Sequence, residues 1–144
     1  MYQGNDKNFH VLITEDDADV RIITKLSLSR IAHLQVSEAA NGAEAISQVT
    51  SNNFDVILLD VMMPEMDGPT TFRKIRELPN GASTPIIFLT AKVLPSEIAR
   101  LQALSAYEVI TKPFDPLTLG DELQRIMSHP INTGDLDELH DPSF

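Results

Sequence analysis

The chain contains no cysteine, which excludes disulfide staples and thiolate metal sites. It has no long apolar run, although hydrophobic residues make up 42% of it. A membrane span is therefore excluded, and no membrane partner is expected. Met1 to Asn8 is polar and lacks the apolar core of a signal peptide. Basic residues are scarce: 11 Lys and Arg stand against 21 Asp and Glu, for a net charge of −10. Affinity for nucleic acid comes largely from Lys and Arg neutralising phosphates, so no nucleic-acid partner is expected. The histidines, His10, His33, His129 and His140, are scattered without metal-ligand spacing, which points to surface or loop roles. What remains is a soluble, cytoplasmic protein whose 144 residues support one domain with a real core.

What the chain does have is a set of short apolar runs, each ending in a polar side chain. Phe54 to Leu59, interrupted only by Asp55, has the length and branching of a buried strand and stops at Asp60. Pro64 and Gly68 then mark a loop before a helical pattern begins. Asp60 is thereby expected at the carboxyl end of a central strand, where open α/β sheets place their ligands. Asp67, close to the helix start, reads as that helix's cap. A second run, Val11 to Thr14, meets Glu15-Asp16-Asp17. Carboxylates crowded in this way repel unless a cation or proton lies between them. Hard oxygen ligands with room for water and a phosphate oxygen suit Mg²⁺. Asp17 and Asp19 are explained by a helix start, which favours negative charge; Glu15 and Asp16, at the strand end, are explained less well. A third run ends in Thr90-Ala91 and a fourth in Lys112-Pro113-Phe114. A hydroxyl and an ammonium are what an anion needs beside a metal. Singly, a terminal Thr usually starts a turn and a terminal Lys is usually only solvated.

Five strand-then-helix units predict an α/β fold: a parallel sheet with helices on both faces. Strands are expected near 10–14, 34–39, 54–59, 85–90 and 107–111. Asn41-Gly42 precedes a helix burying Ala45, Ile46 and Val49; Phe72 and Ile75 mark the next, and Asn80-Gly81 ends that unit. Pro95 suits the first turn of a helix with Ile98 and Leu101 inward. Asp115-Pro116 reads as cap plus first helical residue, followed by Leu119, Leu123, Ile126 and Met127. His129-Pro130 closes it. The division expected is a leader at 1–8, one domain at 9–128 and an acidic tail at 129–144. That tail holds Asp135, Asp137, Glu138 and Asp141, is too short for a DNA-binding or enzymatic output domain, and has the composition of a disordered segment.

Glu15-Asp16-Asp17, Asp60, Met63-Pro64-Glu65-Met66-Asp67-Gly68, Thr90-Ala91 and Lys112-Pro113-Phe114 resemble, in order and approximate spacing, the motif set of two-component response regulator receiver domains. The resemblance implies a flavodoxin-like five-stranded sheet of order 2-1-3-4-5. It implies Asp60 as phosphoacceptor, Glu15 and Asp16 as the pair holding Mg²⁺ with the Met62 carbonyl, Thr90 as switch hydroxyl and Lys112 as phosphate-pairing cation. The donor would be a sensor histidine kinase or a histidine phosphotransfer protein, and the output a downstream protein target. The domain would catalyse only its own phosphorylation and dephosphorylation. The chain then reads as a stand-alone, chemotaxis-receiver-like protein or as a receiver excised from something larger.

Two departures bear on signalling. Receivers usually carry an aromatic three residues before the pocket lysine, and here that position is Val109. Tyr107 lies two residues earlier, which on a strand puts it on the same face as Val109. It either takes the aromatic's place or, as the preferred reading, is ordinary edge packing with the relay absent. Ser105 stands where many receivers have Gly. Two other functions are weighed. A degenerate receiver serving as a phosphorylation-independent interaction module is kept alive by Val109 and opposed by the complete set of charged groups. An aspartyl-nucleophile phosphohydrolase would typically carry a second Asp two residues after the first, where Met62 stands. Finally, Val20, Arg21 and Thr24 are expected beside Lys112-Pro113-Phe114 as a rim over which a donor docks. With Val20, Ile22, Ile23, Leu26, Leu28 and Ile31 spread around more than one helix face, some should be exposed.

Overall fold

The apolar runs become strands because helices cover both faces of the sheet they form. The computed structural model describes residues 9–91 and 94–131. The elements run β1 (His10–Thr14), α1 (Ala18–Leu26), β2 (Gln35–Ala39), α2 (Gly42–Ser51), β3 (Val56–Asp60), α3 (Gly68–Arg76), β4 (Ile86–Thr90), α4 (Pro95–Ser105), β5 (Ile110–Thr111) and α5 (Leu119–Ser128). All the strands pair in parallel, in the order β2-β1-β3-β4-β5, which is the flavodoxin-like arrangement. Every residue of the central strands β3 and β4 is buried, as strands covered on both faces must be. Alternate side chains feed two cores. Val11, Ile13, Leu58, Ile87 and Leu89 pack with Leu28 and with Leu119, Leu123 and Ile126 of α5. Leu12, Ile57, Leu59 and Phe88 pack with Ala45, Val49, Phe72, Ile75 and Leu101 from α2, α3 and α4.

Helix starts are chemically marked. Asp17 accepts hydrogen bonds from the Asp19 and Val20 amides, Asn41 from Glu44 and Asp67 from Thr70. Each satisfies an amide that the first turn leaves without a partner. Helix α1 continues into a π-helical turn, Ser27–Ile31, which the sequence pattern did not announce. Within it Leu28 turns inward, whereas Ile22, Ile23, Leu26 and Ile31 are each about half exposed, at 51%, 46%, 47% and 46%.

Several expectations need correction. The fifth strand is only Ile110–Thr111, not 107–111. Helix α4 runs on to Ser105 and stops with Ala106 in the left-handed region (φ 65°). Ser105 Oγ then bonds to both the amide and the carbonyl of Tyr107 at 3.2 Å, so 106–109 serve to turn the chain back to the sheet. In consequence Tyr107 and Val109 do not share a face: Tyr107 packs against the α5-side core and Val109 against the α4-side core. The last helix begins at Leu119 rather than Pro116. Asp115 Oδ1 accepts from the Leu117 amide and the Asp115 carbonyl from Thr118, so the Asp closes a turn ahead of the helix instead of capping it. His10 is a strand residue, not a loop one; its Nε2 lies 2.6 Å from Ser37 Oγ and its ring packs edge-on against Phe54. His33 and His129 are exposed as expected. The leader at 1–8, His140 and the acidic tail beyond residue 131 lie outside the described residues.

Candidate functional site

Register brings the polar strand ends together. Thr14 pairs with Leu59, so Glu15 follows level with Asp60. Asp60 pairs with Leu89, one residue before Thr90, and Thr90 with Thr111, one residue before Lys112. With β1 and β4 flanking β3, four chemically distinct ends converge at the carboxyl edge of the sheet, the ligand-binding edge of open α/β folds.

Asp60 is 3% exposed, Glu15 and Thr90 are 1% exposed, and Asp16 stands open to solvent. One carboxylate oxygen from each of Glu15, Asp16 and Asp60 lies within 4.8 Å of the others. Lys112 Nζ donates to Asp60 Oδ1 at 3.0 Å and sits 2.6 Å from Glu15 Oε1. The second contact is an ion pair without hydrogen-bond alignment, so Glu15 Oε1 is buried with no aligned donor. Burial pushes the Asp60 carboxyl up to about 7; Glu15 beside it adds to the rise and Lys112 partly offsets it. For Lys112, burial works against the charge, but contacts with Glu15 and Asp60 outweigh it and raise the pKa above the ordinary lysine value. The three carboxyl groups face a single ammonium, that of Lys112, so each added negative charge in the cluster is opposed by its neighbours. A small divalent cation with oxygen preference fits this donor set, and the buried Glu15 oxygen, met only by the Lys112 ion pair, is available as a ligand.

The β3–α3 loop folds back on this cluster. The Gly68 amide donates to the Val61 carbonyl at 2.8 Å. A Cβ at Gly68 would lie 2.5 Å from the Asp60 carbonyl oxygen and 2.9 Å from Val61 Cα, an approach open only to glycine. Asp67, capping α3, is held below the usual carboxylate range by its hydrogen bonds with Thr70. Asp17 is likewise engaged with α1, which leaves Asp16 as the third member of the acidic cluster. The Met62 side chain is 62% exposed. Thr90 shares a cavity with Val61, Asp67, Arg100 and Leu101. On the other side a mostly apolar groove is lined by Val20, Ile23, Ala91, Lys112, Pro113 and Phe114, among others. Thus Val20 lies where the rim was expected. Arg21 and Thr24 do not: Thr24 is fully buried, its hydroxyl donating to the Val20 carbonyl, and Arg21 turns towards β2. Sequence reasoning missed Ile23 as a groove residue and the partners of Arg21. The helical spacing of Val20 and Ile23, three apart, was the available signal for the first.

Comparison with known proteins agrees with this fold. The family profile described as the response regulator receiver domain matches residues 11–124. The uncharacterized transcriptional regulatory protein YclJ of Bacillus subtilis is 35% identical over 124 residues, 86% of this chain and 53% of its own length. The transcriptional regulatory protein ResD of the same species is 42% identical over 118 residues, 81% of this chain and 46% of its own. The chain thus spans about half the length of these relatives. Among solved structures, the chemotaxis protein CheY4 of Vibrio cholerae superposes with a TM-score of 0.75 at 34% identity, covering 81% of this chain and 97% of that one. The receiver domain of a sensor histidine kinase from Pseudomonas aeruginosa, solved with magnesium in its active-site cleft, gives a TM-score of 0.73 at 28% identity, covering 83% of this chain and 98% of that one.

Proposed function

The chain belongs to the response regulator receiver family of two-component signal transduction, and from that premise we propose that Asp60 accepts a phosphoryl group from a phosphohistidine donor in a Mg²⁺-dependent reaction. The observation that carries the reading is the buried Asp60 carboxylate, 3.0 Å from Lys112 Nζ and clustered with Glu15 and Asp16. In this reading Glu15, Asp16, Asp60 and the Met62 carbonyl hold the ion. When bound, the ion offsets the repulsion between the carboxylate nucleophile and the anionic donor. Asp60 supplies the attacking oxygen: its bond to phosphorus forms as the donor's P–N bond breaks, and the electron pair stays on the imidazole nitrogen. Lys112 keeps its charge against burial and pairs with the phosphoryl oxygens, a step that rests on positioning and charge. Water attack on the aspartyl phosphate in the same site returns the carboxylate, so the domain acts only on its own phosphorylation state.

The added phosphate brings new charge and acceptor oxygens beside Thr90, which donates to them and biases the α4–β5 surface. The groove by Val20, Pro113 and Phe114 receives the sensor kinase or phosphotransfer protein, and the switched surface, with Ala91, Tyr107 and Val109, meets a downstream protein. The absence of a nucleic-acid partner rests on the chain's charge, whereas several relatives are named transcriptional regulators. Among the described residues no helix is long and apolar enough to cross a membrane, and we place the domain, residues 9–128, in the cytoplasm with leader and tail at 1–8 and 129–144. The test is incubation with Mg²⁺ and acetyl phosphate, followed by mapping of the added mass. Labelling at Asp60 that vanishes in Asp60→Asn is expected. Labelling of that variant at a comparable rate refutes the assignment.

A further inference from the structure

Arg21 is the one α1 residue expected at the docking rim that instead faces the acidic edge. Its Nη1 donates to the Glu15 carbonyl at 2.8 Å and makes a longer contact, 3.5 Å, with the Asp16 carbonyl. Its Nε lies 3.7 Å from Glu38 Oε1 on the edge strand β2, and the other Glu38 oxygen is 3.2 Å from Lys25 Nζ. The β1–α1 turn is also tied by the Glu15 amide to the Ala39 carbonyl at 3.1 Å, the Asp17 amide to Glu15 Oε2 at 3.2 Å, the Arg21 amide to the Asp17 carbonyl at 2.9 Å, Lys112 against Glu15 at 2.6 Å, and the Asp17 cap, but none of these holds the Asp16 carbonyl.

We propose that Arg21, anchored on Glu38, is a positioning residue that fixes the Glu15–Asp16 main chain and so sets the spacing of the acidic pair for a divalent cation. A guanidinium suits this role. It is planar, always charged, and presents several donors in a rigid fork, so one side chain reaches adjacent carbonyls and a carboxylate together. Outer partners that orient metal ligands in this way typically contribute about 10–100-fold to metal affinity. The proposal rests on the reading of Glu15, Asp16 and Asp60 as the cation site, but it makes a claim of opposite sign to simple electrostatics. Arg21 is a cation near a cation site. If it acted only through its charge, removing it would tighten Mg²⁺ binding; if it positions the ligands, removing it weakens binding.

The experiment is Mg²⁺ titration of the unphosphorylated protein, followed by calorimetry and by the amide shifts of residues 14–17 and 60, with urea unfolding in EDTA measured alongside. Wild type should bind and Asp16→Ala should not; wild type failing to bind Mg²⁺ would sink the site assignment itself. Given wild-type binding, Arg21→Met should raise the Mg²⁺ Kd roughly tenfold, with Arg21→Lys in between and Lys25→Met, which removes the other Glu38 partner, unchanged. Glu38→Gln should weaken binding in the direction of Arg21→Met by loosening the anchor. An Arg21→Met protein that folds and binds Mg²⁺ as tightly as wild type or more tightly overturns the proposal. So does a loss of urea stability with unchanged affinity. If Arg21→Met does not fold, Arg21→Lys, which keeps the charge and loses the fork, decides: weaker Mg²⁺ binding supports positioning, and unchanged affinity overturns it.

Discussion

Replacing Asp60 by Asn should make the protein more stable at pH 8 once divalent cations are removed. The native carboxyl is pushed from 3.8 to about 7, first by burial and then by Glu15, with Lys112 opposing. A raised native pKa means that, between these values, the folded state binds more protons than the unfolded chain, so stability falls as pH rises. Below about pH 4 both states are protonated and the penalty is absent; above about pH 7 it is complete. Three units at about 1.4 kcal/mol each set a ceiling of about 4 kcal/mol. Lys112 loses a partner in the variant, so a gain of about 1–3 kcal/mol is expected. Urea unfolding followed by circular dichroism at pH 5 and pH 8 in EDTA measures it. The gap between variant and wild type should widen from pH 5 to pH 8. Mg²⁺ should then narrow it by stabilising wild type more than the variant, which keeps Glu15 and Asp16 but lacks the third carboxylate, because a ligand that binds the native state adds to its stability. An Asn variant no more stable than wild type at pH 8, or a gap that grows towards pH 5, would refute the account of Asp60 as a destabilised buried charge.

Two other substitutions probe the neighbourhood. Gly68→Ala places a Cβ 2.5 Å from the Asp60 carbonyl oxygen and 2.9 Å from Val61 Cα; backbone atoms do not step aside cheaply, so a loss of about 1–3 kcal/mol in urea and slower acetyl phosphate labelling should appear together. Wild-type values for both would mean the loop is not held against β3. Val20→Glu puts charge into the groove beside Lys112, Pro113 and Phe114 and should slow transfer from a cognate phosphohistidine protein while leaving acetyl phosphate labelling intact; equal slowing with both donors would make the groove structural and not a docking face.

The fold was legible in the sequence because short apolar runs end in polar or charged residues, charged ones at the carboxyl ends of β1, β3 and β5. Glu15, Asp60 and Lys112 mark those ends, and in a parallel sheet every strand presents that end on the same edge. Pattern alone did not supply the sheet order. That order came from the family resemblance, and β1 beside β3 is what sets Glu15 level with Asp60. The caps at Asp17 and Asp67 were legible for a local reason, since a carboxylate two or three residues ahead of an amide needs no tertiary information to bond it.

Direction of a side chain was harder to read than its presence. Arg21 follows the capping Asp17 by one helical turn, and the sequence alone fits either flank of α1. What decides is Glu38, distant in sequence and brought close only by the β1–β2 pairing. Tyr107 and Val109 fail for a different reason. Two residues apart means one face only while the backbone stays extended throughout. Here Ala106 takes a left-handed conformation and the chain reaches the sheet only at Ile110. The alternation therefore starts three residues later than the apolar pattern suggests, and Tyr107 falls on the face opposite Val109. Tyr107 consequently does not stand in for an aromatic at position 109. On the α4 side Thr90 shares its cavity with Glu97, Arg100 and Leu101, so these are residues through which a movement of the Thr90 hydroxyl would be felt by that helix.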